Sequence, residues 1–64
     1  MSKSVVIAVD AMGGDNSPAK VIFGISEYLK KNSGVFFRIF GKKTLIENEV
    51  YKVNLSKNFF EIIN

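Results

Sequence analysis

Cysteine and histidine are absent from this 64-residue chain, which excludes a disulfide framework, a thiolate nucleophile and the usual zinc ligand sets. Long apolar runs are scarce too. The run Val5-Val6-Ile7-Ala8-Val9 stops at Asp10, too short for the core of a signal peptide and far below the ~20 residues of a membrane-spanning helix. A cytoplasmic location is the expectation. Neither half has a marked excess of one charge: positions 1–32 hold four Lys against three acidic residues, positions 33–64 hold five Lys or Arg against three, and the net charge is +3. The cations Lys3, Lys20, Lys30, Lys31, Arg38, Lys42, Lys43, Lys52 and Lys57 are scattered, without the aromatic interleaving of a nucleic-acid face, so they read as solvated surface and no nucleic-acid partner is expected.

What the chain does have is apolar content, at 47% of residues. That is the composition of a globular protein, yet a chain this short buries only ~60% of its unfolded surface and supports a marginal core. Residues 1–64 are therefore expected to form at most one small domain, with more apolar surface than it can cover. No internal repeat, linker or low-complexity stretch divides them.

The most informative stretch is Asp10-Ala11-Met12-Gly13-Gly14-Asp15-Asn16-Ser17-Pro18. The β-branched run before it suits a parallel strand covered on both faces, with Asp10 at its carboxyl end. Gly13 and Gly14 permit positive φ and a close approach of backbone N–H groups to a ligand, and Ser17-Pro18 reads as an N-cap followed by a first helical residue. In open α/β sheets ligands bind beyond the carboxyl ends of strands, where a helix start favours anions.

From Pro18 the pattern becomes periodic. Val21, Ile22, Ile25, Tyr28 and Leu29 recur at spacings of three and four and predict an amphipathic helix, closed by Lys30-Lys31 and Asn32-Ser33-Gly34. Gly24 lies inside it, either to allow close packing on a sheet or as an incidental substitution. Val35 to Phe40 predicts a second strand ended by Gly41. Lys42 to about Lys52 predicts a weaker helix with Leu45, Ile46 and Val50 toward the sheet, Asn54 to Asn58 a loop, and Phe59 to Ile63 a third strand. The six phenylalanines read as core, and Tyr28 as a buried ring with its hydroxyl near the edge.

Strand, helix, strand, helix, strand with crossovers of this length implies a partial doubly wound parallel sheet, β-α-β-α-β. If the strands progress in one direction, both helices share a face; if the order reverses, each face receives one. Either arrangement leaves apolar strand surface uncovered, to be covered by further polypeptide or another chain.

The run Val6-Ile7-Ala8-Val9-Asp10-Ala11-Met12-Gly13-Gly14-Asp15-Asn16, followed by Pro18, resembles the N-terminus of the bacterial phosphate acyltransferases of phospholipid synthesis, which move a fatty acyl group from acyl carrier protein to inorganic phosphate. The remaining elements follow in the expected order. Members of that family are several times longer, so the chain looks like an N-terminal piece of a three-layer fold of the Rossmann or isopropylmalate-dehydrogenase type. The resemblance further implies a homo-oligomer, no cofactor, and peripheral work at the inner face of the membrane, which the scattered charges do not themselves demonstrate.

Asp10, Gly13, Gly14, Asp15, Asn16 and Ser17 are the candidate phosphate- or substrate-binding residues. The loop lacks the Lys-Ser/Thr ending of a P-loop and the spacing of a dinucleotide fingerprint. Carboxylates beside an anion repel it unless a metal bridges them, they bond loop N–H groups, or they contact another part of the substrate. Asp15 reads as a loop or cap residue, and the resemblance gives Asp10 an orienting role; two carboxylates alone do not define a metal site. Phosphate would itself attack the thioester, so no covalent nucleophile is required, and the catalytic residues are expected outside this segment. Met12 reads as packing under the turn in preference to lining an acyl channel. Two further readings stand beside the acyltransferase: a noncatalytic truncated remnant that associates through its exposed sheet, and a small anion-binding α/β module.

Overall fold

The computed structural model describes residues 5–64, so Lys3 lies outside the described residues. Strand β1 (Val5–Asp10) leads to helix α1 (Ala19–Lys31), β2 (Val35–Phe40), α2 (Lys43–Val53), a 3-10 turn over Lys57–Phe59, and β3 (Phe60–Ile63). The three strands are parallel in the order β1-β2-β3. This is an open α/β sheet.

Progression in one direction settles which faces the helices take. Ile22 and Ile25 of α1 and Ile46 of α2 are buried in one cluster with Val35, Phe37 and Ile39, so both helices cover the same side of the sheet. The pairs Val5↔Val35, Ile7↔Phe37, Val9↔Ile39, Phe37↔Phe60 and Ile39↔Ile62 place these residues on the helix side, because partners in a parallel ladder point the same way. The other face carries Val6, Ala8, Asp10, Phe36, Arg38, Phe40, Glu61 and Ile63, and no element among the described residues covers it. Burial in β2 follows this division: Val35, Phe37 and Ile39 are buried, while Arg38 and Phe40 are exposed. On the bare face Arg38 Nε donates to Glu61 Oε2 at 2.8 Å, which satisfies the two charges that interrupt the apolar strands.

Several expectations change in detail. The first helix starts at Ala19 with Pro18 in the cap position at φ −89° and ψ −1°; Ser17 does not cap it, because its Oγ accepts the Gly14 N–H at 3.1 Å instead. Gly13 and Gly14 do not take positive φ; that conformation falls on Asn16, at 62°. Gly24 does not mediate close packing, since a Cβ there would meet nothing within 4 Å. With the sheet covered on one side only, the aromatic residues are not uniformly core: Phe37 is buried, Phe23 and Phe40 are exposed, and Phe36, Phe59 and Phe60 are half-buried. Tyr28 is exposed as well, with its ring edge-to-face on Phe37 at 6.1 Å between centroids. In α2 only Ile46 is buried, Val50 is half-buried and Leu45 faces outward.

The chain's stop signals act as their chemistry requires. Lys30 and Lys31 occupy the last turn of α1, where cations complement the carbonyl end, and Gly34 takes φ +78° to reverse the chain into β2. Asn54 ends α2 in the left-handed region at φ 56°, its N–H directed to the carbonyls of Val50 and Tyr51. The expected loop after it is partly the 3-10 turn, which takes Phe59 out of the third strand. Ser56 caps that turn by accepting the Asn58 N–H at 3.2 Å.

Candidate functional site

A parallel sheet brings the carboxyl ends of its strands to one edge, and the chain's two strand-to-helix loops lie there. The edge is tied together by main-chain bonds: Ala11 N–H donates to the Phe40 carbonyl at 2.9 Å, and Gly41 N–H to the Ile63 carbonyl at 3.1 Å. Ala11 is fully buried, which anchors the first loop at its start. Met12 then lies across Gly41, so the loops are in contact.

Asp10 shapes the turn above β1. Its Oδ1 accepts the Met12 N–H at 3.0 Å, and its Oδ2 sits 3.2 Å from the position a Cβ would take at Gly13. A side chain at position 13 would press on that carboxylate. Further on, Gly14 and Ser17 bond twice, Gly14 N–H to Ser17 Oγ at 3.1 Å and Ser17 N–H to the Gly14 carbonyl at 3.3 Å. The Gly14 glycine is sterically less demanding, because a Cβ would lie 3.6 Å from Ser17 Oγ, in ordinary contact.

These bonds leave the N–H groups of Asp15 and Asn16 without an acceptor among the described residues. Asn16 in the left-handed conformation follows Asp15 and starts a helical turn, with its carbonyl accepting the Lys20 N–H at 3.0 Å. The Asp15 carboxylate takes no hydrogen bond among the described residues, so the expected cap role is not what holds this loop. The six predicted residues thus belong to one exposed turn, organised by Asp10 and Ser17. Among the described residues no cluster of three or more His, Cys, Asp or Glu side chains is placed to hold a metal ion.

A second group stands on the same edge that the sequence pattern did not single out. Lys42, Lys43 and Thr44 at the start of α2 and Asn64 after β3 line a shallow cavity of about 270 Å³, and Asn64 Oδ1 accepts the Lys43 N–H at 3.2 Å. Acidic residues, the usual complement of a helix start, are missing from the first turn of α2. The signal was legible as Gly41-Lys42-Lys43-Thr44 following an apolar strand, but the contribution of Asn64 comes from another strand and needs the fold.

Comparison with known proteins agrees with the family resemblance carried by Val6 to Asn16 and Pro18. The chain is 52% identical to the phosphate acyltransferase of Pelagibacter ubique over 64 residues, which is all of this chain and 19% of that protein. It is 48% identical over 48 residues to the phosphate acyltransferase of Neorickettsia sennetsu, covering 73% of this chain and 14% of that protein. The phosphate acyltransferase of Clostridium botulinum is 43% identical over 60 residues, covering 94% of this chain and 18% of its own length. The chain thus spans less than a fifth of the length of these curated relatives. The family described as fatty acid synthesis protein matches residues 5–64, and the chain belongs to that family.

Proposed function

We propose that this chain is the first β-α-β-α-β part of an enzyme that transfers a fatty acyl group from acyl carrier protein to inorganic phosphate, for phospholipid synthesis. The observation that carries the reading is identity of 52% to a phosphate acyltransferase across the whole chain, including its strand-to-helix loop. In this reaction a phosphate oxygen attacks the thioester carbonyl carbon, the C–S bond breaks, and the carrier thiolate leaves with acyl phosphate as the other product. Phosphate is its own nucleophile. The protein must orient it, stabilise charge on the carbonyl oxygen and exclude water.

In this reading the free N–H groups of Asp15 and Asn16, the Ser17 hydroxyl and the backbone of Gly13 face the phosphate oxygens, with Gly14 supplying the second arm of the turn. Asp10 is a positioning residue: by accepting the Met12 N–H it sets the direction of the backbone at Gly13. The remaining groups, for the acyl chain, the carrier protein and any proton transfer, belong to the larger part of the enzyme. Acyl carrier protein and inorganic phosphate are the partners, the whole enzyme is a homo-oligomer without cofactor, and its place is the cytoplasm, at the inner membrane face. No helix among the described residues is long and apolar enough to cross a membrane.

The experiment is a graft. These 64 residues replace the matching residues of the Pelagibacter ubique relative, and acyl phosphate formation from acyl carrier protein thioester and phosphate is measured. Saturable activity dependent on phosphate is expected; a folded graft without activity, beside an active parent, overturns the reading. The bare sheet face supports one other role, a noncatalytic piece that associates through that face, and the same assay separates the two.

A further inference from the structure

Met12 stands where the two strand-to-helix loops meet. A Cβ at Gly41 would fall 2.6 Å from Met12 Cγ, 3.0 Å from its Sδ and 3.0 Å from Ile46 Cδ1, so the thioether lies on the main chain of the β2-to-α2 turn, at a spot also bounded by a fully buried isoleucine. The sulfur is part of a joint. At its main chain Met12 donates its N–H to Asp10 Oδ1 at 3.0 Å, and Asp10 Oδ2 lies 3.2 Å from the position of a Cβ at Gly13. The seat of Met12 on Gly41 thereby fixes where the Asp10 carboxylate is held.

Packed as it is, this side chain is still reached by solvent. Met12 is 37% exposed, and Gly13, Gly14, Asp15 and Asn16 after it are exposed as well. The chain has no cysteine to consume an oxidant, and its other methionine, Met1, lies outside the described residues. With thiols absent, a thioether is the side chain that a peroxide attacks.

We propose that Met12 is an oxidation site, and that its conversion to the sulfoxide by a peroxide opens the joint on Gly41 and weakens phosphate binding in the loop. The sulfur attacks one oxygen of hydrogen peroxide, the O–O bond breaks and an S–O bond forms; sulfur gives up two electrons, and the transferred oxygen passes its proton to the departing hydroxide, which leaves as water. A thiol-dependent reductase reverses the step, two thiols supplying the two electrons and becoming a disulfide while the oxygen leaves as water. The product is polar where the thioether was apolar and adaptable. Set against Gly41 and Ile46, it must leave its seat or displace one of them. As Met12 lifts, its N–H leaves Asp10, and the released carboxylate meets an incoming phosphate with like charge. The oxidation and the opening of the joint follow from these contacts alone; the loss of phosphate binding rests on the phosphate reading of the loop.

Peptide mass mapping of the grafted protein after hydrogen peroxide, with the phosphate KM measured before and after, tests the proposal. Met12 is expected to gain one oxygen and the phosphate KM to rise several-fold, and a methionine sulfoxide reductase with a thiol should restore it. A graft carrying Met12→Leu, which takes no oxygen, should show no such rise. Met12 left unmodified after free methionine in the same solution has been consumed overturns the proposal, as does modification with unchanged KM, or an equal rise in the Met12→Leu graft. The joint has its own readout, because the Ala11 amide is bonded to the Phe40 carbonyl beside it and should exchange about tenfold or more faster once Met12 is oxidised. A graft without acyl transfer before peroxide counts against the proposed reaction alone, and the Ala11 amide then decides: faster exchange supports the opened joint and unchanged exchange overturns it. If the graft does not fold, the 64-residue chain itself gives the mass and exchange readouts with the same two outcomes.

Discussion

Met12 lies on the backbone of Gly41 so closely that a Cβ at position 41 would fall 2.6 Å from Met12 Cγ and 3.0 Å from its Sδ. This contact joins the β1-to-α1 loop to the β2-to-α2 turn. Gly41 has φ +154°, so a side chain there is disfavoured both by its neighbour and by its own backbone. Gly41→Ala is expected to destabilise the fold by about 1–3 kcal/mol, measured by urea unfolding of the grafted protein. Adding Met12→Ala should recover the part owed to Met12, and neither the 3.0 Å contact with Ile46 Cδ1 nor the backbone part. Full recovery would place the whole cost in the methionine contact.

Gly13 and Gly14 should differ. A Cβ at position 13 would lie 3.2 Å from Asp10 Oδ2, whereas one at position 14 meets only Ser17 Oγ at 3.6 Å. Gly13→Ala is therefore expected to displace the carboxylate that orients the turn, raising the phosphate KM of the grafted enzyme several-fold with little change in unfolding midpoint. Gly14→Ala should keep KM within about twofold; Gly14→Val should impair activity more than folding, through bulk beside the free N–H groups. Equal phosphate KM values for Gly13→Ala and the parent would remove the loop from the phosphate site.

Gly24 offers a gain in stability. It sits within α1 with open space where a Cβ would go, so Gly24→Ala should stabilise the isolated 64-mer by about 0.5–1 kcal/mol through helix propensity alone. A thermal or urea midpoint that falls would mean that position 24 is filled by something in the isolated chain.

Arg38 and Glu61 pair on the bare face at 2.8 Å with side chains 48% and 46% exposed. At that exposure the pair is screened, so Glu61→Gln should cost the isolated chain less than about 1 kcal/mol, and less still at high salt. Urea unfolding at two salt concentrations measures this. A loss of several kcal/mol would show that the face is covered, for example by self-association.

The isolated chain should form no acyl phosphate when mixed with acyl carrier protein thioester and phosphate. Three strands with both helices on one side cannot enclose an acyl chain, and the orientation advantage that a closed site supplies, up to ~7 to 11 kcal/mol, is unavailable to an exposed turn. Association through the bare face should set in only as the protein concentration is raised, visible by light scattering. Saturable, protein-dependent acyl phosphate production by the 64-mer would contradict the division of the site between this segment and the rest.

The sequence by itself determined the order of elements, because each pattern depends on neighbours within a turn or a strand: Val35 to Phe40 is an unbroken β-favouring run, and Ile22, Ile25 and Leu29 share a helical stripe. It also located Asp10 to Pro18 as a strand-to-helix loop at the carboxyl end of the sheet. Only the tertiary structure decided which face the helices cover, because strand order depends on pairing between segments far apart in the chain. The same order exposes Phe40 and Phe23 while burying Phe37, which composition alone could not distinguish. Within the loop, Ser17 was legible as a polar residue beside a helix start, but whether its Oγ served the helix or the Gly14 N–H was a matter of geometry. Positive φ went to Asn16 and not to the glycines for the same reason: glycine permits that conformation without requiring it, and the bonds of Asp10 and Ser17 fix where the chain turns.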